Sequence, residues 1–206
     1  MAGTYAQTEG DILYNIARVE IEELDQTTWD VKEGGDKEVI TCDSEAAVTP
    51  EMSTGQQVTL RDAKQILADA KEEDLLIAVM CTLTTCRFSP KAVAMVQGGT
   101  IRYGEGENAT KIVGYDMPTQ AAMANQKKYF KTTLYVKNYE GSDIYNYVKI
   151  TFPKCRGNGI MDLNFNKSNF FSPAFPIRAT EIKSKGKSCM SFDYVDSLPS
   201  DAATTE

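Results

Sequence analysis

The stretch that decides the fold is residues 130–152, FKTTLYVKNYEGSDIYNYVKITF. Apolar residues fall at even-numbered positions in both halves of this stretch. They are Phe130, Leu134 and Val136 in the first half, and Val148, Ile150 and Phe152 in the second. The opposite face of the first half carries Lys131, Thr133, Tyr135 and Lys137. Alternation of this kind is typical of half-buried β-strands. Because the loop Glu140-Gly141-Ser142-Asp143 has turn chemistry, the sequence predicts a β-hairpin here.

Further strands follow toward the C-terminus. A third strand is predicted from Met161, Leu163 and Phe165, a fourth from Phe175, Ile177 and Ala179, and a fifth from Met190, Phe192 and Tyr194. The Lys185-Gly186-Lys187 stretch reads as the turn between the last two strands.

Two stretches toward the N-terminus extend this pattern. Residues 75–83 are apolar at both odd and even positions, which predicts a central strand covered on both faces. Residues 62–74 fit both a helix, through Ala63, Ile66, Leu67 and Ala70, and a strand, through Leu60, Ile66 and Ala68. At least seven strands result, at the spacing of an all-β sandwich or barrel.

One helix stands out in this pattern. Ser89 is placed to cap it, Pro90 suits its first position, and Gly98-Gly99 ends it. Its apolar stripe is Ala92, Val93 and Val96. We expect a short helix packed on the outer side of the sheet.

Composition excludes several classes of protein. No apolar run approaches the about 20 residues of a membrane helix, and no signal-peptide pattern is present at Met1 to Tyr5. The five cysteines are odd in number and irregularly spaced, so free thiols in a reducing compartment are expected. Residues 1–74 carry a net charge of −12 and residues 75–206 a net charge of +5. This asymmetry fits either two solvated faces or charge complementarity between copies.

The sequence contains no recognisable arrangement of catalytic residues. The chain has no histidine, which excludes Ser-His-Asp and Cys-His arrangements. The cysteine spacing does not fit a zinc site, and the glycine-rich stretches lack the lysine and helix of a phosphate loop. We therefore expect no enzyme activity, no catalytic residues, no metal and no cofactor.

Three stretches resemble the major tail tube proteins of long-tailed, siphovirus-type bacteriophages of Gram-positive hosts, or of related phage-tail-like particles. They are residues 73–100, which run from a strand into the helix; residues 147–157, YVKITFPKCRG; and residues 171–179, FSPAFPIRA, followed by YVDSLP at 194–199. Their order also matches, and the resemblance covers about residues 40–199, with residues 1–40 matched only loosely.

The resemblance implies an all-β fold with one short α-helix, a tail-tube β-sandwich or half-barrel that contributes strands to a hexameric inner β-barrel. It implies that the protein's main partner is itself, in hexameric rings that stack into a conduit for DNA delivery into the host. Tape-measure protein and tail terminator or baseplate proteins are further implied partners, DNA passes without specific binding, and no membrane is involved. In the family, residues 66–68 belong to a strand, so we predict a strand there.

Two sites are predicted. An extended loop or hairpin at about 42–62 is expected to reach a neighbouring ring. Its contact residues are Thr49, Pro50, Glu51, Met52, Ser53, Thr54, Gly55, Gln56 and Gln57. Because a conduit for DNA must not bind phosphates, a neutral or acidic wall is expected. The acidic turn of Glu72, Glu73 and Asp74 is the candidate for the bore or its rim, and the face with Lys131 and Lys137 suits the bore only if carboxylates neutralise it.

The predicted organisation is an N-terminal arm with the first strands at 1–40, a tube domain at 41–199 and a disordered tip at 200–206. The expected location is the virion tail, after synthesis in the bacterial cytoplasm. Two alternatives stay open: another β-sandwich virion protein, such as a decoration or tail-terminator protein, and a carbohydrate-binding module. The latter would need an exposed aromatic platform from Trp29 or from Tyr129, Tyr135, Tyr145 and Tyr147.

Overall fold

The computed structural model describes residues 5–7, 9–123, 128–161 and 171–200, which are mostly β-strand. The strands are β1 (Ile12–Glu23), β2 (Lys37–Ile40), β3 (Ser44–Ser53), β4 (Gln57–Arg61), β5 (Ile66–Lys71), β6 (Leu75–Thr85), β7 (Thr100–Tyr103), β8 (Ile112–Asp116), β9 (Phe130–Glu140), β10 (Asp143–Gly157), β11 (Ala174–Ala179) and β12 (Ser191–Val195). The helices are α1 (Pro90–Gln97) and the single turn α2 (Gln120–Met123). The prediction of an all-β fold with one short helix is confirmed.

Eight strands form one antiparallel sheet in the order β11-β6-β3-β1-β9-β10-β12, with β2 paired to β1. The path closes on itself, because β10 pairs with β11 through Cys155, Arg156 and Gly157 as well as with β9. β1 lies within this sheet, so residues 12–23 belong to the body of the protein. β4 with β5 and β7 with β8 form separate two-stranded ribbons.

The core lies inside the closed sheet. Its fully buried side chains include Val19, Ile21, Leu83, Phe130, Leu134, Phe152, Phe175 and Ile177. They come from strands far apart in sequence, so burial of this apolar surface is what holds the sheet closed.

α1 forms at the predicted residues and its buried side chains join this core, while its predicted place on the outer side of the sheet stays a prediction. The Ser89 hydroxyl accepts a hydrogen bond from the Ala92 N–H at 3.3 Å, and the helix ends at Gly98, whose φ is +84°. Val93 and Val96 are buried. The helix lies so close to β10 that a Cβ at Gly157 would overlap the carbonyl of Val96.

Most strand predictions are confirmed. The hairpin at 130–152 is β9 and β10, and its turn contains Gly141 with φ +64°. Residues 175–179 lie in β11 and residues 191–194 in β12. Residues 66–68, where helix and strand periodicity competed, lie in β5. Of the predicted third strand, Met161 is buried outside any strand, and Leu163 and Phe165 lie outside the described residues.

The prediction that residues 75–83 are covered on both faces is wrong: Leu75, Leu76 and Ile77 are exposed, and further along Thr82 is exposed on the face opposite Cys81 and Leu83. β6 is buried around Ala78, Cys81 and Leu83, but Leu75 is 67% exposed and Leu76 50% exposed. The apolar run is continuous because the strand passes from the core into a projecting hairpin that is itself apolar.

Candidate assembly surfaces

A long β-hairpin at residues 44–85 is here called the arm; its base lies in the closed sheet and its outer part projects from the body. Its base is the β3–β6 ladder, from Ser44 opposite Thr85 to Ser53 opposite Leu75. Its outer part is the β4–β5 ribbon, which turns at residues 62–65. Every residue from 56 to 77 is exposed. At roughly 3.3 Å per residue, the strand from 51 to 61 alone has a contour of about 35 Å, which is enough to reach another copy.

The outer arm has one apolar and one polar face. Val58 pairs with Ala70 and Leu60 with Ala68, so these four side chains share a face. On the other face, Asp69 accepts hydrogen bonds from Gln57 and Thr59 at 2.8–3.2 Å. A two-stranded ribbon alone is marginally stable in water, so an exposed apolar face on one indicates a surface that another molecule covers.

Further apolar side chains are exposed nearer the base of the arm, beyond the polar residues 53–57 and 72–74. Met52 is 48% exposed, and Leu75, Leu76 and Ile77 are 44–67% exposed. Exposed apolar side chains grouped in this way make a candidate interaction surface. The sequence predicted this strand at 75–83, but it gave no sign that residues 75–77 lie exposed in the arm.

The predicted inter-ring residues 49–57 lie in the first strand of the arm and not at its tip. Glu51 still belongs to the body, where its carboxylate accepts a hydrogen bond from the Arg178 guanidinium at 2.7 Å. Gly55 lies at an elbow between β3 and β4, where a Cβ would overlap the carbonyl of Glu72. Their proposed contact with a neighbouring ring stays a prediction.

The acidic turn Glu72-Glu73-Asp74 is the other half of this elbow. Asp74 accepts a hydrogen bond from the Gly55 N–H at 2.9 Å and lies 3.5 Å from the Lys71 amine. Glu72 and Glu73 are exposed and make no ion pair within the described ranges. The turn therefore lies midway along the arm, and its place at the bore or rim stays a prediction.

A continuous polar face lies on the side of β1, β9, β10 and β12 opposite the core, and its central side chains Arg18, Glu20, Thr133 and Tyr135 are buried. The strand register aligns Glu22 with Lys131, Glu20 with Thr133 and Thr151, and Arg18 with Tyr135, Lys149 and Asp193. Arg18 and Glu20 form a buried ion pair at 2.7 Å. This face is opposite to the one that packs into the core.

Carboxylates neutralise the lysines of this face. Lys131 lies 2.9 Å from Glu22, Lys137 lies 3.1 Å from Asp43, and the Lys149 amine is 3.8 Å from the Asp193 carboxylate. Burial disfavours ionised Glu22, but hydrogen bonds from Lys131 and Lys37 outweigh it and lower its pKa. Carboxylates therefore neutralise Lys131 and Lys137, as a bore-lining role for this face would require.

Glu23, at the end of β1, holds a second charged cluster. Its carboxylate contacts the amines of Lys32 and Lys128 at 2.9 and 3.0 Å, and Asp36 contacts Lys128 at 2.6 Å. Burial opposes ionisation, but these hydrogen bonds lower the pKa of Glu23 to about 2. The cluster ties the end of β1 to the segments before β2 and before β9.

Two strands of the eight-stranded sheet, β2 and β12, leave one edge open within the described part of the chain. There β2 pairs only with β1, and β12 pairs only with β10. The β12 edge also carries Phe192, which is 56% exposed. Unpaired edges readily accept a strand from another molecule.

The aromatic residues do not form a flat exposed platform. Trp29 meets Tyr129 edge-on, with ring centroids 5.2 Å apart, and the Lys154 amine lies 3.7 Å above the tryptophan ring. Tyr135 is buried, and Tyr129, Tyr145 and Tyr147 are half-buried. The arrangement that a carbohydrate-binding module would use is therefore absent from these residues.

The described residues also offer little for catalysis. Burial raises the pKa of the Cys81 thiol to about 11 and that of Cys155 to about 12, which disfavours the reactive thiolate. No group of three or more Cys, Asp or Glu side chains in the described ranges is placed to hold a metal ion.

Comparison with known proteins adds no family assignment. No protein-family model matches the chain, and no curated protein matches its sequence. Neither helix of the described chain has the length and apolar composition that crossing a membrane requires.

Proposed function

We propose that the protein is the repeating subunit of a phage tail tube, in which six copies form a ring and rings stack around a passage for DNA. The observation that carries this proposal is the arm: all of residues 56–77 are exposed, and within the described residues nothing covers its apolar face of Val58, Leu60, Ala68 and Ala70. A protein of this shape reaches its stable state in an assembly.

The open strand edges support closure of a ring. β2 and β12 lie on opposite sides of the β1-β9-β10 sheet. If the β12 edge of one copy pairs with the β2 edge of the next, the contact is head-to-tail. Such contacts form a ring when the rotation from each copy to the next closes the circle. The resemblance to tail tube proteins supplies the expected number of six.

The polar face supports a role as the bore wall. Its lysines are paired with Glu22, Asp43 and Asp193, which limits their contacts with phosphates. In this arrangement DNA passes along a wall of fixed, mutually compensated charges. The virion tail is the proposed location, with assembly in the host cytoplasm and tape-measure, terminator and baseplate proteins as further partners.

Truncation of the outer arm tests the proposal. Gln56 and Glu72 face each other across the hairpin, with the Glu72 N–H donating to the Gln56 carbonyl at 2.9 Å. Residues 57–71 can therefore be replaced by a two-residue Asn-Gly turn, which suits hairpins. This design spares Glu51 and its contact with Arg178.

We expect the full-length protein to form tubes by electron microscopy, and the truncated protein to keep its melting temperature but stay unpolymerised. The matched control shortens the β7–β8 hairpin, which leaves the arm intact. Normal tubes from the truncated protein would refute a role for the arm. A full-length protein that binds preassembled capsids but forms no tubes would indicate a decoration protein instead.

A further inference from the structure

Two cysteine thiols meet at the base of the arm. The β3–β6 ladder ends at the pair Ser44 and Thr85, and Cys42 and Cys86 lie just beyond that pair on the two strands. The Ser44 hydroxyl donates a hydrogen bond to the Cys42 carbonyl at 3.0 Å and lies 3.8 Å from the Cys42 Sγ. On the other strand, the Thr85 hydroxyl donates to the Arg87 carbonyl at 2.8 Å. These contacts hold the chain on both sides of the ladder end, and the thiols of Cys42 and Cys86 lie within hydrogen-bonding reach of each other.

Of the five cysteines, these two are the accessible ones. Cys86 is exposed and Cys42 is half-buried. The other three, Cys81, Cys155 and Cys189, are only 0–4% exposed. Thiol–disulfide exchange needs access to the sulfur as well as a thiolate, so a dissolved oxidant reaches Cys42 and Cys86 and does not reach the thiols of the core. Partial burial and the Cys42 thiol raise the pKa of Cys86, so exchange at this pair is favoured in mildly alkaline solution.

We infer that Cys42 and Cys86 are a modification site, at which a small-molecule disulfide oxidant converts the two thiols into an intramolecular disulfide across the base of the arm. The thiolate of one cysteine attacks the disulfide of the oxidant, which forms a mixed disulfide and releases one reduced thiol. The thiolate of the other cysteine then attacks the protein sulfur of the mixed disulfide and releases the second reduced thiol. The protein loses two protons and two electrons, which together reduce the oxidant to its two thiols.

The disulfide encloses residues 43–85 and therefore the whole arm. A cross-link of this kind restricts the unfolded chain and so stabilises the folded one. A reducing cytoplasm keeps the two thiols free, and an oxidising environment outside the cell closes the bond. Under the proposed function, the subunit assembles with free thiols and the base of its arm is locked after the particle leaves the host. Formation of the bond depends only on the folded subunit and not on tubes.

Oxidised glutathione is the probe that tests this inference on the full-length protein. The reduced protein is incubated with it in mildly alkaline buffer, quenched with acid, and analysed by intact mass and peptide mapping. We expect the loss of two hydrogens, about 2 Da, and a cross-linked peptide that joins Cys42 to Cys86. The melting temperature should rise by several degrees on oxidation and return to its first value on reduction.

Single variants identify the bond. Cys42→Ala and Cys86→Ala should each abolish the cross-link and leave the remaining thiol of the pair to take up one glutathione. The matched control, Cys189→Ala, removes a buried thiol and should cross-link like the wild type.

Several results would overturn the inference. They are a wild-type protein that keeps both thiols free, one that carries a glutathione on each without a cross-link, and a disulfide between two copies or with a buried cysteine. An unchanged melting temperature in the cross-linked protein would refute locking of the arm. The proposed function fails separately, if a protein that makes this bond forms no tubes in either redox state.

Discussion

The apolar face of the arm offers the sharpest quantitative prediction. Val58 is 58% exposed and Leu60 is 59% exposed, and neither packs into the body. Replacing both, in Val58→Gln with Leu60→Gln, removes apolar surface that only an assembled state would bury. The free subunit should therefore lose little stability, within about 0.5 kcal/mol as is usual for exposed positions.

The effect on assembly should be large. Full burial of a valine or leucine side chain contributes about 1.5–3 kcal/mol, and roughly 60% of each side chain is left to bury here. The pair should then lose about 2–3 kcal/mol per docked arm, which is about 30- to 150-fold in affinity. The critical concentration for tube formation should rise by a similar factor.

The assay is pelleting of tubes across a concentration series, with thermal melts of the free subunit alongside. The matched control is Val113→Gln with Met117→Gln, because these side chains are 61% and 49% exposed on the β8 side of the protein. An unchanged critical concentration would refute burial of the arm face. A melting temperature lowered by several degrees would show that this face already packs within the free subunit.

Three further predictions concern the body and the bore. Val93→Asp buries a charge at a position with 0% exposure, so we expect a loss of several kcal/mol of folding stability and insoluble protein. The control Val93→Ala should cost about 2 kcal/mol and stay soluble. A Val93→Asp protein as soluble as this control would show that this face is open to solvent. The pKa of Glu23 falls from 4.5 to about 2 on folding, so its stabilisation is present above pH 4.5 and lost as the pH falls toward 2. By urea unfolding, Glu23→Gln should have a free energy of unfolding about 2 kcal/mol below that of the wild type at pH 7, a difference limited by the half-exposed Lys32 and Lys128. Near pH 2 the two proteins should be equally stable. A difference that stays constant with pH would contradict this role of Glu23. Duplex DNA fragments should show no tight, salt-sensitive binding inside purified tubes, and a bore lined mainly by unpaired lysines and arginines would contradict the proposed wall.

The sequence predicted the elements whose signals are local. The hairpin at 130–152 follows from strict alternation and a two-residue turn, and α1 follows from Ser89, Pro90 and Gly98. Both depend on contacts within a few residues, so periodicity and capping chemistry suffice. The competition between helix and strand at 66–68 needed more than periodicity, and the resemblance supplied it.

The course of the arm was harder to predict because it depends on contacts between distant strands. A run that is apolar at both odd and even positions does not tell how far a strand stays within the core, and residues 75–77 lie exposed beyond it. Closure of the sheet through β10 and β11 also has no local signal, since it joins residues about 20 positions apart. The exposed residues Ile12 and Ile144 likewise come together on Tyr139 only through the strand register.

Electron microscopy of the purified protein over a concentration series tests the central claim most directly. The account predicts hollow tubes of stacked rings with sixfold end views, in which density for the arm bridges neighbouring copies. A protein that stays monomeric at every concentration, with no rings and no tubes, would contradict it.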